Sequence, residues 1–319
     1  MTRTKIEWAE RVWNPVTGCS KVSEACRNCY AERLAQRFWG ERKFTDVQCH
    51  EDRMDQPMRW RNPARVFVNS MSDLFHQDVP IDFIANVWAV MRLAEQHTFV
   101  VLTKRAERMQ AVLTSSDFGM EYRDCINVLT GGGLTGFDQP LPNVWLGVSI
   151  ENQKTADERI PLLLGTPAAK RVVSYEPALG DVDLEYYFYF SGPSTAGPWR
   201  DCLGRKRGGG GIGGQMMSVK PSNDIDWLIM GGESGPGARP MHPDWARSMR
   251  DQCLAAGVPF FFKQWGEWIE VRHTSQEIVD RYSKNTIAAD NGDLFFKIGK
   301  KAAGRLLDGR EWQEVPNDK

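Results

Sequence analysis

The chain lacks the features that mark several large classes of protein. Its 319 residues carry a formal net charge of -1, so it has no positive excess of the kind that coats nucleic acid, although a local basic groove is compatible with this balance. No window approaches the roughly 18 apolar residues that a membrane span requires, and no basic stretch followed by an apolar one opens the chain. We therefore expect a soluble, cytoplasmic protein without a membrane partner.

The cysteines lack a fourth member where a closed metal site would need one. Three of the seven form a C-x6-C-x2-C run at Cys19, Cys26 and Cys29. Structural zinc normally takes four closed ligands, and an iron–sulfur cluster held by cysteine usually takes four as well. A cluster bound by three thiolates keeps one iron free, which is what an enzyme needs if a small molecule must bind the cluster directly.

Spacing alone leaves a cluster and a zinc site equally open, with inert thiols as a third possibility. Cys49 and His50 are the nearest candidates for a fourth zinc ligand, and such a site would suit a non-catalytic nucleic-acid adaptor. The context favours a cluster in an enzyme, because Cys29 runs directly into a segment whose apolar residues, Leu34, Ala35 and Phe38, recur at helical spacing.

The rest of the chain alternates between two patterns. The length and the 41% of hydrophobic residues are sufficient for one large domain. Short β-branched or aromatic runs occur at 66–69, 98–102, 144–148, 171–174, 226–230 and 259–262, and helical stretches occur at 82–95, 105–113, 156–164 and 243–256. This alternation indicates βαβ units and a parallel sheet. We predict an α/β fold, a complete or partial (β/α) barrel over residues 1–265.

Two insertions and a tail interrupt this pattern. The segments 114–142 and 181–222 have few periodic apolar residues, and long irregular inserts are usually lids or flexible excursions. Arg205, Lys206 and Arg207 precede four glycines in the second insert; a solvated loop is the ordinary interpretation, and an arm that contacts phosphate is the alternative. Residues 266–319 are predicted to form a small extension packed on the barrel.

Polar or ionisable residues follow every predicted strand. The candidates for a binding site are Ser70, Ser72 and Asp73 after the second strand, Ser149, Glu151 and Asn152 after the fourth, and Glu233 after the sixth. Barrel enzymes place their chemistry on the loops at the carboxyl ends of the strands. The pattern therefore predicts one shared polar pocket at that end of the barrel.

Five segments carry a resemblance to a known family. Residues 13–19, 26–33, 143–149, 231–242 and 259–266 resemble the phage Gp37/Gp68 family, which is itself similar to the radical S-adenosylmethionine (SAM) enzymes. The resemblance runs from about residue 5 to the end, apart from the two inserts, and it implies a barrel of the radical SAM type. One departure is the first cysteine gap, which has six residues where most radical SAM enzymes have three.

The resemblance implies two cofactors and their contacts. A [4Fe–4S] cluster would be held by Cys19, Cys26 and Cys29, and its electron would cleave SAM to methionine and a 5′-deoxyadenosyl radical that abstracts hydrogen from the substrate. The assignments to SAM are Ser70, Ser72 and Asp73 for the methionine amino group, Ser149, Glu151 and Asn152 for the ribose and carboxylate, and Glu233, on a closely approached glycine turn, for adenine or substrate. Lys104, Arg105 and Arg239 would serve the SAM carboxylate or a substrate phosphate.

The implied substrate follows from the phage family. The resemblance favours an isomerase or modifying enzyme that rearranges an amino-acid-derived group on modified thymidine during phage DNA hypermodification, with a flavodoxin or ferredoxin as electron donor. A tRNA, a peptide and a small metabolite stay open as alternative substrates. The 12 tryptophans would supply base stacking or core packing, and we expect core packing for at least half of them.

Overall fold

The computed structural model describes residues 4–132, 140–189, 225–274, 276–282, 286–288 and 292–317. Most of the predicted insertion 181–222, including Arg205, Lys206 and Arg207, lies outside the described residues.

The described segments contain strands and helices that alternate along most of the chain. The strands are β1 (Arg11–Trp13), β2 (Val16–Thr17), β3 (Gln48–Cys49), β4 (Arg65–Val68), β5 (Thr98–Thr103), β6 (Val144–Ile150), β7 (Lys170–Tyr175), β8 (Trp227–Gly231), β9 (Phe260–Gln264), β10 (Trp268–Glu270), β11 (Thr286–Ala288), β12 (Leu294–Lys297), β13 (Leu306–Leu307) and β14 (Arg310–Glu311). The helices are α1 (Tyr30–Phe38), α2 (Ile81–Leu93), α3 (Ala106–Leu113), α4 (Ser116–Thr130), α5 (Gln153–Leu164), α6 (Glu185–Tyr189), α7 (Pro243–Ala256), α8 (Gln276–Tyr282) and α9 (Lys300–Ala303).

Seven strands form one parallel sheet in the order β1-β4-β5-β6-β7-β8-β9. Strands that are neighbours in this sheet also follow one another along the chain, except that the separate β2–β3 pair lies between β1 and β4 in the sequence. The edge strands of the sheet are β1 and β9. The predicted α/β class is thus confirmed, and the barrel is a seven-stranded parallel half-barrel. All carboxyl ends of these strands lie at one edge, which is where the predicted pocket should be.

The two faces of the sheet bury different clusters, because successive side chains of a strand point to opposite faces. Val101, Val148 and Val173 belong to the main core, which contains the buried sides of the helices. Trp145 and Trp227 belong to a second, smaller cluster with Trp8, and these rings meet edge to face at centroid distances of 5.9 and 6.0 Å. This aromatic layer fills part of the inner face of the sheet.

The predicted insertion 114–142 contains a regular helix, α4. Ser115 caps it by accepting a hydrogen bond from the Phe118 N–H at 3.1 Å, and Gly131 ends it with a positive φ of 68°. Phe118 and Tyr122 are fully buried against the main core. The glycines at the start of the run 131–133 therefore mark the end of a packed helix.

The C-terminal extension packs along the edge strand β9. The Phe262 N–H donates to the Trp312 carbonyl at 2.8 Å, and the Trp265 N–H donates to the Gly304 carbonyl at 3.1 Å. The segment after β14 thus continues the hydrogen bonding of an edge that would otherwise be open.

Candidate functional site

A cavity of about 390 Å³ lies at the carboxyl ends of the parallel strands. Its lining includes all three cysteines of the C-x6-C-x2-C run, together with the predicted residues Ser70, Ser72, Asp73, Ser149 and Glu233. The structure therefore brings five of the seven predicted binding residues into one cavity with the thiols.

The cysteine loop is the connection between β2 and α1, just after the edge strand β1. Gly18 opens it with a φ of 95°, and a Cβ at this position would overlap the Asp46 carbonyl, so the turn requires glycine. A 3₁₀ turn over Glu24–Asn28 follows, and α1 begins at Tyr30, directly after Cys29. The third thiol therefore sits at the amino end of α1.

Cys19 is held through Arg105. The guanidinium donates to the Cys19 Sγ at 3.4 Å, to the Ser20 carbonyl at 3.0 Å, and to the carboxylate of buried Asp73 at 3.1 Å. Burial and the charge of Asp73 raise the pKa of Cys19 to about 11, although Arg105 acts in the opposite direction. In metal-free protein this thiol is therefore protonated at neutral pH.

Ser23 lies between Cys26 and a buried carboxylate, Glu151. The Ser23 hydroxyl donates to the Glu151 Oε1 at 2.8 Å and lies 3.8 Å from the Cys26 Sγ. Glu151 also accepts from Lys104 at 2.5 Å and from Arg159 at 3.1 Å. Burial raises the pKa of Cys26, but the Lys104 charge and hydrogen bonds from the loop outweigh it, so the pKa is lowered.

Cys29 follows Asn28, which is bound to Glu233. The Asn28 side chain donates to the Glu233 Oε2 at 3.0 Å and to the Gly237 carbonyl at 2.7 Å. Arg239 donates to the same carboxylate and also reaches the carboxylate of Glu24, in the 3₁₀ turn, at 2.6 Å. Burial raises the pKa of Cys29 and outweighs hydrogen bonds from the backbone. Burial likewise raises the pKa of Glu233, but Arg239 and Asn28 outweigh it and the pKa is lowered.

The remaining predicted residues have defined places. Ser70 and Ser72 line the cavity, where the Ser70 hydroxyl donates to Asn14 at 3.2 Å and the Ser72 hydroxyl donates to the Val16 carbonyl at 2.8 Å. Asn152 instead caps α5, since its side chain accepts from the Thr155 N–H at 3.1 Å in a capping box. Glu151 is only 1% exposed and lies behind the cysteine loop, outside the lining of the cavity.

The predicted glycine turn before Glu233 is closely approached by other backbone. A Cβ on Gly232 would overlap the carbonyl group of Trp265, which follows β9. A Cβ on Gly231 would lie 2.5 Å from a carboxylate oxygen of Glu176. Glycine is therefore required at position 232, where backbone passes close by, whereas at position 231 the flexible Glu176 side chain would have to shift.

Several residues at the cavity escaped the sequence analysis. Glu7 and Trp8 precede the first strand, and Lys300 belongs to the C-terminal extension, yet all three line the cavity, and Lys300 lies 3.0 Å from Glu7. Because these residues are far apart in the sequence, no local pattern predicted that they would meet. Arg159, the partner of Glu151, could have been identified from the sequence, because it shares the inward face of α5 with Ala156 and Ile160. It is only 7% exposed, and a charged residue on such a face needs a buried partner.

Every carboxylate among the described residues of the cavity lining has a cation as partner. The pairs are Glu7–Lys300 at 3.0 Å, Glu32–Lys21 at 3.1 Å, Asp73–Arg105 at 3.1 Å, Glu176–Lys263 at 3.1 Å and Glu233–Arg239 at 2.8 Å. Within the described residues one oxygen of Glu7, Oε2, is buried without a hydrogen-bond partner. A ligand that brings an ammonium group would therefore use this oxygen, share one of the pairs, or use hydroxyl and carbonyl oxygens.

Two absences apply to the described segments only. Within them no group of three or more His, Cys, Asp or Glu side chains is close enough to hold a single metal ion. Within the same segments no helix combines the length and apolar character needed to cross a bilayer.

The fold and the site define a half-barrel α/β protein with a three-cysteine loop over the carboxyl end of a parallel sheet. A family model described as a protein of unknown function, DUF5131, matches residues 3–316, so the chain belongs to this family. No curated protein and no solved structure gave a significant match.

Proposed function

We propose that this protein is a radical SAM enzyme. The observation that carries the proposal is the position of the cysteine loop: it follows the first strand of a parallel half-barrel, and all three of its thiols line the cavity at the carboxyl ends of the strands. A loop in this place supplies three thiolates and leaves room beside them for a small molecule.

The residues present fit a [4Fe–4S] cluster. Each cysteine of such a cluster binds a different iron, so the thiols need to surround a common space and do not need to converge on one point. Cys26 already has a lowered pKa, which favours the thiolate that metal binding requires. When bound, the cluster would supply the electron that cleaves SAM to methionine and a 5′-deoxyadenosyl radical.

The cavity also fits a molecule with the groups of SAM. Its volume of about 390 Å³ falls within the range of roughly 300–1,000 Å³ that is typical of small-molecule sites. Hydroxyl groups of Ser70, Ser72 and Ser149 suit the amino group and the ribose, and the lining cations Lys104 and Arg105 suit the carboxylate. Tyr30, Phe44 and Phe67 provide apolar surface for adenine.

For the substrate, we propose modified thymidine in phage DNA hypermodification, with an isomerase or related modification as the reaction. The support is the sequence resemblance of five segments to the phage Gp37/Gp68 family. The reaction needs one electron from outside, for which a flavodoxin or ferredoxin is the expected donor.

The first test is the metal content of anaerobically reconstituted protein. We expect iron and sulfide in a ratio that corresponds to one [4Fe–4S] cluster, and replacement of Cys19, Cys26 or Cys29 by Ala should abolish the cleavage of SAM. Cys49→Ala and Cys125→Ala are matched controls, because both thiols are half-buried and neither lines the cavity. Zinc without iron or sulfide would contradict the proposal and favour the adaptor.

The second test concerns the substrate. Reduced protein is incubated with SAM and phage DNA under anaerobic conditions, and the nucleosides are then separated and identified after digestion. A new nucleoside that depends on SAM supports DNA modification. SAM cleavage with unchanged DNA would instead direct the search to free nucleotides, tRNA, peptides or small metabolites.

A further inference from the structure

We infer that Asp73, Glu151 and Glu233 are positioning residues, each of which holds one cysteine of the loop in place, and that they are not direct ligands of SAM. The inference rests on the proposed function, because it concerns how the thiols are arranged for a cluster. The three carboxylates follow alternate strands of the sheet, β4, β6 and β8. We refer to them below as the three anchoring carboxylates.

One intervening side chain links each anchoring carboxylate to a different cysteine or to the residue next to it. Asp73 acts through Arg105, whose guanidinium lies 3.4 Å from the Cys19 Sγ. Glu151 acts through the Ser23 hydroxyl, 3.8 Å from the Cys26 Sγ. Glu233 acts through Asn28, the residue directly before Cys29. No two cysteines share an anchor in this arrangement.

Most of the hydrogen-bonding capacity of the three carboxylates is already used within the protein, and all of that of Asp73 is. A carboxylate has about four lone-pair sites. Asp73 accepts from the Thr103 hydroxyl at 2.8 Å, the Phe75 N–H at 3.0 Å, the Lys104 N–H at 3.1 Å and Arg105 at 3.1 Å. Nothing remains on Asp73 for the amino group of SAM.

The other two carboxylates also accept several bonds, unevenly divided between their oxygens. Glu151 accepts from Ser23 and Lys104 at Oε1, and one nitrogen of Arg159, Nη1, lies 3.1 Å from both oxygens. Glu233 accepts at Oε2 from Asn28 and from the backbone N–H and Nε of Arg239, and at Oε1 from Nη2 of Arg239. Burial of all three groups makes these bonds costly to break, because an ionised carboxylate without partners is poorly tolerated away from water.

An indirect anchor has a physical advantage over a direct one. A carboxylate in contact with a thiolate would repel it, whereas Arg105, placed between Asp73 and Cys19, binds the carboxylate and offers a positive charge to the sulfur. Ser23 and Asn28 belong to the loop itself, so the anchors fix the loop as well as the sulfur atoms. The three thiols are thereby held at three separate points around the cavity before any iron binds.

The inference is tested in metal-free protein by measuring the alkylation rate of each cysteine with iodoacetamide over a pH series, resolved by mass spectrometry. Rates are compared per thiolate, because Asp73 also raises the pKa of Cys19 and its removal alone would raise the rate at a single pH. The variants are Asp73→Asn, Glu151→Gln and Glu233→Gln, which keep the size and remove the charge. Each should raise the rate at its own cysteine, Cys19, Cys26 or Cys29, by roughly tenfold, because losing a charge-assisted hydrogen bond increases the open population of the loop by about that factor.

Glu176→Gln is the matched control. This carboxylate lines the same cavity and is paired with Lys263 at 3.1 Å, and the cysteine loop does not supply its partner. Its alkylation rates should equal those of the wild type. Wild-type rates in all four variants would overturn the inference. An equal increase at all three cysteines in every variant would also overturn it, because that pattern indicates general loosening of the protein.

A milder set of variants covers the case in which an anchoring carboxylate is needed for folding. Ser23→Ala should affect Cys26 alone, Asn28→Ala should affect Cys29 alone, and Ser23→Thr should restore the wild-type rate because it keeps the hydroxyl. In reconstituted protein, electron paramagnetic resonance of the reduced cluster should change in Ser23→Ala and not in Glu176→Gln. Because the alkylation test uses no iron, it separates failure of this inference from failure of the proposed function. Binding of SAM lost in Asp73→Asn with unchanged alkylation would assign Asp73 to SAM instead.

Discussion

Cys26 differs electrostatically from the two cysteines that flank it in the sequence run. Lys104 lies close enough to lower its pKa against the effect of burial, whereas burial raises the pKa of Cys19 and of Cys29. Lys104 is held in this position by an ion pair with Glu151 at 2.5 Å. The loop therefore contains one thiol whose pKa is lowered and two whose pKa is raised.

This difference predicts an order of reaction in the metal-free wild type. At pH 8 we expect Cys26 to be alkylated first, because only the thiolate reacts and its fraction rises as the pKa falls. Cys19, with a pKa of about 11, should react last and should accelerate as the pH is raised towards 10. Site-resolved mass spectrometry over a pH series measures this order. Equal rates at Cys19 and Cys26 would contradict it.

The tryptophans are mainly core residues, as expected. Seven of the 11 tryptophans in the described segments are buried, and five of those, among them Trp13, Trp88 and Trp145, are at most 2% exposed. Trp8 differs from the other buried tryptophans, because it packs on Trp227 and also lines the cavity. Its ring therefore forms a boundary between the core and the site.

At the scale of elements, α4 is the clearest addition to the barrel. It lies against α2, where the rings of Phe118 and Trp88 meet edge to face at a centroid distance of 5.7 Å. A helix inserted between α3 and β6 thus adds a second layer of apolar contact outside the crossover helices. No residue of α4 lines the cavity, so its role is separate from that of the site.

We expect Phe118→Ala to lower the free energy of unfolding by about 3–5 kcal/mol, because it empties a fully buried ring position. Met120→Ala is the matched control on the same helix, since Met120 is 52% exposed and should change stability by less than about 0.5 kcal/mol. Chemical denaturation followed by circular dichroism measures both. If Met120→Ala lowered the free energy of unfolding as much as Phe118→Ala, the packing of the Phe118 face of α4 on the core would be contradicted.

At the scale of the whole molecule, buried carboxylates join distant parts of the chain. Glu151 after β6 accepts from Ser23, and Glu233 after β8 accepts from Asn28, both in the cysteine loop. In both carboxylates burial raises the pKa, and the cationic and hydrogen-bonding partners overcome this and lower it. The stability of the protein is therefore linked to pH.

The sign of that linkage follows from the lowered pKa. The stabilisation from Glu151 and Glu233 is fully present above the unfolded pKa of Glu, about 4.3, and is lost as the pH falls through the lower folded pKa. We expect the thermal midpoint of the wild type to fall steeply between pH 5 and 3, and that of Glu151→Gln to start lower and to fall less. Glu95→Gln, at an exposed position, is the control and should follow the wild type. Parallel curves for Glu151→Gln and the wild type would contradict the prediction.

The two ends of the chain meet at the cavity. The N-terminal segment contributes Glu7 and Trp8, and the extension contributes Lys300, which is paired with Glu7. The extension also occupies the edge of β9. A half-barrel whose edge strands do not pair with each other is in this way covered by segments outside the seven strands.

The sequence by itself determined the class of fold and the place of the cysteine loop. Periodic apolar runs located six strands to within two residues, and helix α7 was predicted with its exact bounds, Pro243–Ala256, because Pro243 begins it and Gly257 ends it. Parallel strands place their carboxyl ends together, so the polar residues after each strand could be assigned to one edge. These inferences depend on local patterns, which a single sequence contains.

Only the tertiary structure decided what the polar residues do. Ser70 and Asp73 are alike in sequence as residues after a strand, yet one offers a hydroxyl at the cavity and the other has all its lone pairs bound by its neighbours. Glu151 is taken out of the cavity by Arg159 and Ser23, which lie on different elements. Hydrogen-bond saturation depends on partners up to 205 residues away, as for Asn28 and Glu233, and no local pattern reports it.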